Sequence, residues 1–373
     1  MGFSVLHTEW SSGWGGQEMR IVAECVAMRA RGHRMAIACQ PDSQILQKAH
    51  AEGLLTTPLR IRKGLDLAGI AHCLRAIRTQ HIDLVHTHSS ADAWACGMAA
   101  RLAGVPVVRS RHLSTPVQRR WSSRLLYGRL ADRVITSGQA IKDHLVRAAA
   151  LDPARIVSIP AGIDVQRFAP VTNARTVRRE LGLADGDFVV GIVAVLRSWK
   201  GHAHLIEAVH RLAAEKVPAK LLIVGTGPQE AALRQKIEEL GAGNHVLMLG
   251  HRTDVPRLIS AMDCSVLPST KNEATSQALP QALAMKIPVI ASAVGGLPEV
   301  VIHQETGLLV PPGDAAALRD ALAWVRQHPS EAKQMAERGY ARVHADFTFD
   351  KMIDRTEGVY LELLRNRAGD AGE

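Results

Sequence analysis

The feature that most constrains this chain is an alternation, played out twice, of short apolar runs with stretches of helical periodicity. In the first half Phe3 to His7, Arg34 to Cys39, Leu54 to Leu59, Asp83 to His86, Val105 to Val108, Arg133 to Thr136 and Ile156 to Ile159 read as strands. Helical patterns such as Gln17 to Arg31 and Leu65 to Thr79 lie between them. Runs that are apolar on both faces must be covered on both faces, which predicts a parallel α/β sheet between two helical layers. The turn-rich Pro160-Ala161-Gly162-Ile163-Asp164, with Phe168 and Pro170 behind it, interrupts the pattern and reads as a linker. The alternation restarts at Phe188 to Val195 and continues through Leu221 to Val224, Val246 to Leu249, Cys264 to Leu267, Pro288 to Ala291 and Leu308 to Val310. Two doubly wound domains are therefore expected, over residues 1–165 and 171–348.

Ligands of such sheets sit beyond the carboxyl ends of the strands, so the loops there hold the candidate site residues. Ser269 to Val300 carries most of them. It reads as a polar loop with Glu273, a helix opening near Ser276, a buried strand, and a Gly295-Gly296 turn opening another helix. Pro280 belongs in the first helical turn, which puts the N-cap at or near Ser276 and Gln281 just inside. Two helix N-termini with unpaired N–H groups suit a phosphate or diphosphate, with Thr275, Ser276 and Gln277 beside it. Arg197 and Lys200, after the first strand of the second half, supply the positive charge that a diphosphate leaving group needs. Gly225 and Gly227 form a turn that accepts a nucleotide without steric conflict. Asp254 and Val255 either meet a nucleobase through their backbone or follow from a helix N-cap at Thr253 or Asp254.

The first half offers less. Gly15 and Gly16, in HTEWSSGWGGQE, either let a ligand approach the backbone or make a plain glycine turn. His86 and His88 share one strand face, as metal ligands do, but no second ligand cluster accompanies them, which favours packing or hydrogen bonding. His112 stands at a strand end on the expected binding edge. Asp185-Gly186-Asp187 is turn chemistry rather than a metal clamp.

The formal charge of +9 points to an acidic partner: nucleic acid, anionic lipid or a phosphorylated substrate. Scarce aromatics weigh against nucleic acid. Between Arg109 and Arg133 seven arginines face one acid, Asp132, interleaved with Trp121, Leu125, Leu126, Tyr127 and Leu130. This stretch reads either as a basic amphipathic helix for an anionic membrane surface or as a solvated helix face. The five cysteines are scattered, as free thiols in a reducing compartment would be. With neither a leader pattern nor 18 apolar residues in a row, the expected location is cytoplasmic, with peripheral attachment to the inner membrane face as an option.

In order along the chain, Gly15-Gly16, PAGIDVQRF, Lys200-Gly201, VGTGP, the loop at Glu273, and VGGLPEVV followed by TGLLVPPGD resemble the group 1 (family 4) nucleotide-sugar glycosyltransferases of GT-B fold. The resemblance implies two Rossmann-like domains facing a central crevice, with a final helix, 349–366, crossing back to the first domain. It implies metal-independent transfer with retention of anomeric configuration, the nucleotide-sugar being a co-substrate and no cofactor being required. The donor diphosphate is expected at Arg197, Lys200 and the amides of the glutamate loop, the sugar hydroxyls at Glu273, and the sugar or phosphate at His112. A lipid-linked glycan, such as a lipopolysaccharide or cell-surface polysaccharide precursor, is the expected acceptor. Two departures stand out. Gln281 occupies the position of the family's second glutamate, and Arg197 lies closer to Lys200 than the family pattern has it. Gln281 leaves open a disabled scaffold protein. An epimerase on the same fold is a further option, whereas a dinucleotide oxidoreductase is disfavoured because no GxGxxG follows the first strand.

Overall fold

The computed structural model describes residues 2–62, 66–112, 117, 120–171, 174–271 and 273–370. Leu65, at the expected start of a helix, and Arg119, within the basic stretch, lie outside the described residues. The chain divides into two compact units, Met1–Pro160 with Asp350–Glu373, and Ala161–Phe349.

The first unit is built on β1 (Ser4–Glu9), β2 (Arg34–Cys39), β3 (Leu55–Pro58), β4 (Leu84–Thr87), β5 (Val107–Arg111), β6 (Arg133–Thr136) and β7 (Ile156–Ser158). They form one parallel sheet in the order β3-β2-β1-β4-β5-β6-β7. Every residue of β1 and β4 is buried, as expected of strands covered on both faces. Two strands run further than their apolar cores suggest. β1 continues through Thr8 and Glu9, and β5 takes in Arg109 and Arg111, because parallel pairing with Cys39 on one side and Val134 and Thr136 on the other extends that far. Polar side chains at strand ends hide the extension from a hydrophobicity reading.

The final helix, Phe349–Asp370, belongs to this unit and is four residues longer than expected. It buries Met352, Ile353, Val359, Tyr360 and Leu363, each contributing roughly 1.5–3 kcal/mol. The Tyr360 ring meets Phe3 edge-on at 5.8 Å between centroids.

The second unit contains β8 (Phe188–Val193), β9 (Ala219–Val224), β10 (Val246–Gly250), β11 (Cys264–Leu267), β12 (Val289–Ser292) and β13 (Leu308–Val310), again all parallel, ordered β10-β9-β8-β11-β12-β13. Leu221 and Ile223 of β9 enter one core and Leu222 and Val224 the other, so the period-two alternation feeds two apolar layers, one on each face. The segment after the first unit enters here by backbone pairing: Ile163 donates to the Phe347 carbonyl at 2.9 Å and Phe349 to the Ile163 carbonyl at 2.8 Å. Gly162 is required at this crossing, since a Cβ there would lie 2.5 Å from the Thr348 carbonyl oxygen.

The basic stretch is not one amphipathic helix. A single helical turn, Trp121–Arg124, passes into a π-helical turn, Leu125–Arg129, while Arg109 and Arg111 lie in β5 and Arg133 begins β6 with an ion pair to Glu362. Arg120, Trp121, Arg124 and Arg129 alone among its described arginines and tryptophan are exposed. Among the described residues no helix is long and apolar enough to cross a membrane.

Candidate functional site

Each sheet reverses its strand order once, between β1 and β4 in the first unit and between β8 and β11 in the second. The sequence-predicted residues divide between the units: Gly15, Gly16 and His112 lie on the first and all others on the second, where Arg197, Lys200 and Glu273 follow the switch-point strands β8 and β11 and Gly225, Gly227, Asp254 and Val255 follow β9 and β10.

In the second unit the loops after β8 and β11 meet through Lys200 and Glu273. Lys200 Nζ lies 2.6 Å from Glu273 Oε1, which also accepts from the Ser269 hydroxyl at 2.8 Å. Glu273 is only 5% exposed, so this carboxylate is held rather than solvated. Its Oε2 has no hydrogen bond among the described residues. Gly201, at φ +75°, brings the Lys200 loop against β11: a Cβ there would sit 1.9 Å from the Pro268 carbonyl oxygen. Gly295, at φ +59°, brings the loop after β12 against the Glu273 carbonyl in the same way, 2.1 Å from an added Cβ. The two glycines thus set the spacing of three loops around one carboxylate.

Arg197 behaves differently from Lys200. It is exposed and lies over the Trp199 ring at 5.1 Å. Gly225 and Gly227 are packed under the β8 loop, with added Cβ atoms 2.1 Å from the Ala194 carbonyl oxygen and 2.7 Å from that of Leu196. Their close approach is therefore to protein backbone. Asp254 holds the N-cap position of the helix Val255–Ser260, but its carboxylate grips Arg252 at 2.8 and 2.7 Å; that bond holds its pKa below the ordinary carboxylate value.

The helix after Glu273 runs Ala278–Ala284 with Gln277 at the N-cap position, one residue later than expected. Ser276 accepts from the Ala278 amide at 3.3 Å, and Gln277 donates its side-chain amide to the Gly162 carbonyl at 3.0 Å. Pro280 and Gln281 lie inside the first turns, as expected; Thr275 is buried. This helix has seven residues and the one after Gly296 only four. Short helices have weak end dipoles, so an anion here depends more on Lys200 and loop amides than the sequence suggests. Asp187 accepts from the Ala184 amide at 2.8 Å, a turn.

In the first unit Gly15 caps the helix Gly16–Ala30, its amide donating to Glu18 at 2.9 Å. A Cβ on Gly16 would meet no protein atom within 4 Å, so packing does not require that glycine. His112 ends a buried chain that sequence reasoning saw only in part. His112 Nε2 is 3.0 Å from His88 Nδ1, and His88 Nε2 is 2.9 Å from His7 Nδ1. His7 Nε2 approaches the Tyr360 hydroxyl at 3.4 Å; that hydroxyl also meets His86 Nδ1, and His86 Nε2 meets Ser110 Oγ at 2.8 Å. His7 and Tyr360 come from distant segments, so only the fold joins them to His86 and His88.

Burial lowers all four imidazoles, His7 to about 3. Kept neutral, each ring donates once and accepts once, so the chain has a single polarity from end to end. His7, His86 and His88 also place one ligand atom each within 4.8 Å of one another. As it stands His7 bonds His88, and His86 bonds Tyr360 and Ser110, in keeping with the hydrogen-bonding role read for His86 and His88. Beside it, burial lifts the Asp92 carboxyl to about 7, with Glu9 contributing, and burial likewise raises Glu9.

Two doubly wound parallel-sheet units, with glycine-set loops and a lysine at a switch point, define the class: a GT-B enzyme. A family model described as "Glycosyl transferases group 1" matches residues 173–342, and one described as "Glycosyltransferase Family 4" matches residues 14–167. A 2-deoxystreptamine N-acetyl-D-glucosaminyltransferase of Streptomyces fradiae is 32% identical over 282 residues, 69% of this chain and 67% of its own length. The UDP-Gal:alpha-D-GlcNAc-diphosphoundecaprenol alpha-1,3-galactosyltransferase of Escherichia coli is 27% identical over 315 residues, 81% of each chain. Among solved structures, Anabaena Alr3699/HepE in complex with UDP superposes with a TM-score of 0.88 at 22% identity, over 96% of this chain and 100% of that one. The chain belongs to the group 1, family 4 glycosyltransferases and is a glycosyltransferase.

Proposed function

We propose that the protein transfers a glycosyl group from a nucleotide-sugar to a hydroxyl of a lipid-linked glycan, a lipopolysaccharide or cell-surface polysaccharide precursor, with retention of configuration and without a metal ion. The observation that carries this reading is Lys200 against the buried Glu273 at the switch point of the second sheet. A cation poised there neutralises the charge that grows on a departing nucleoside diphosphate, at no cost in reorganisation. The glycosidic carbon loses its bond to the phosphate oxygen and gains one to the acceptor oxygen; the acceptor's proton leaves with the diphosphate. Arg197 and the loop amides at Thr275, Ser276 and Gln277 assist Lys200. Glu273 Oε2 accepts from sugar hydroxyls, Gln281 from the ribose, and the Gly225-to-Gly227 turn with Asp254 and Val255 borders the nucleotide. His112 and the Gly15-Gly16 turn are the first unit's part in the reaction.

The named donor and lipid-diphosphate acceptor of the Escherichia coli relative, and the UDP bound by the Anabaena protein, support the substrate classes. The exposed Arg120, Trp121 and Arg124 support contact with an anionic membrane surface. The test is product analysis by NMR with a panel of nucleotide-sugars and diphosphate-linked lipid acceptors, in chelator, on vesicles with and without anionic lipid. An axial-to-axial transfer that survives the chelator is expected, faster on anionic vesicles. An inverted product or strict metal dependence would overturn the chemistry, and equal rates on both vesicles the membrane part. Nucleotide binding with no turnover across the panel would favour the scaffold reading that Gln281 suggests.

A further inference from the structure

At the switch point of the first sheet lies a cavity of about 330 Å³, walled by Trp10, Gln17, Trp94, Arg109, Arg111 and His112 and by the start of the helix Ser90–Leu102. Arg109 is 1% exposed yet forms no ion pair among the described residues. Its guanidinium donates to the Ser89 carbonyl at 2.8 Å and the Tyr127 hydroxyl at 3.4 Å, lies 4.5 Å over the Tyr127 ring, and leaves Nε without a partner. Burial pushes the Tyr127 phenol up, but Arg109 and Arg111 outweigh it and bring the phenol below its ordinary value. A buried guanidinium whose hydrogen bonds go to neutral groups is costly unless an anion completes its surroundings.

The acids of the region make their hydrogen bonds elsewhere and no ion pair to Arg109 among the described residues, although Asp92, with Oδ1 unpartnered, acts on it at longer range. Glu9 accepts from the Ser11 amide at 2.7 Å and from Ser89 and Gln17 side chains; Asp92 accepts from the Thr8 hydroxyl at 2.7 Å and the His88 amide at 2.9 Å. Because the Ser89 hydroxyl is turned to Glu9, it makes no capping bond, and the first amides of a 13-residue helix stand at the cavity wall with its positive end. Two tryptophans beside a buried arginine that has no ion pair among the described residues make a surface for a ring that carries a negative charge.

We infer that this cavity binds a sugar bearing an anionic group, phosphate or carboxylate, and so selects an anionic acceptor for transfer. This rests on the glycosyl-transfer reading above. The same chemistry is carried by the donor's own diphosphate, and the experiment separates the two. Calorimetric titration of the whole chain uses glucose 1-phosphate and methyl glucoside, each with and without saturating UDP. Glucose 1-phosphate is expected to bind at least about tenfold more tightly than methyl glucoside, and to do so with UDP present. Arg109→Met should erase the preference and keep UDP binding. Equal affinities, full displacement by UDP, or an Arg109→Met protein that keeps the preference each overturn the inference. Should that variant not fold, Trp94→Ala takes its place: weaker binding of both sugars with UDP binding intact supports the cavity, and unchanged binding overturns it. Sugar-phosphate binding in a protein that transfers no sugar would sink the glycosyl-transfer reading and leave the anion site standing.

Discussion

Lys200 Nζ lies 2.6 Å from Glu273 Oε1, and both side chains are largely withdrawn from water. One contact thus has two jobs, holding two loops together and presenting charge, and substitution can part them. Lys200→Met strands a buried carboxylate with Ser269 as its remaining side-chain donor, which costs about 1–3 kcal/mol of stability. Glu273→Gln in the same protein removes the stranded charge and should restore much of the melting temperature. Turnover should stay down by about 10²-fold or more in both, because the cation at the leaving group is gone in both. If turnover returned along with stability, Lys200 would be a structural lysine only.

The histidine chain makes acid stability a measurable quantity. His7 titrates at about 3 when folded and near 6.5 when unfolded, and His86, His88 and His112 are lowered as well. Below pH 6.5 the unfolded chain therefore binds protons that the folded chain does not, and stability falls with pH until the folded pKa is reached. The raised Asp92, at about 7, and Glu9 act in the opposite sense, since they hold protons when folded and release them on unfolding. With His202, which burial lowers to about 4, five imidazoles outnumber two carboxyls, so the melting temperature should drop between pH 7 and 5, with net proton uptake on unfolding. His7→Gln should flatten that dependence. A melting temperature that is level or rises toward pH 5 would show that the carboxyls dominate.

The strands were legible because each is an apolar run closed by turn residues, and β8 to β13 lie where Phe188, Leu221, Val246, Cys264, Val289 and Leu308 indicate. Glu273, Lys200 and the glycine turns were legible because they follow strands. Arg109 and Glu9 were not, since a charged residue in a strand end looks like the start of a loop until its ladder partners are known. Nor could His7, 81 residues from His88 in sequence, be joined to it by any local pattern. The basic stretch misled for a related reason: its composition suits a surface helix, yet Arg109 is buried and Arg133 is paired.

Gln281 offers the most direct test of the nucleotide's position. It lies half-buried within the helix Ala278–Ala284, its amide nitrogen donating to the Gln277 carbonyl at 3.0 Å, and its side chain makes no hydrogen bond among the described residues. A neutral amide accepts a ribose hydroxyl through one oxygen, whereas a carboxylate accepts with the added strength of its charge, about twice that of a neutral pair. The backbone there is ordinary helix, which glutamate tolerates as well as glutamine. Gln281→Glu is therefore expected to leave the melting temperature unchanged and to tighten UDP binding by up to about tenfold. Gln281→Ala should weaken it, and deoxyuridine diphosphates lacking the ribose hydroxyls should not distinguish among the three proteins. If UDP affinity were the same in all three, the nucleotide's ribose would lie elsewhere.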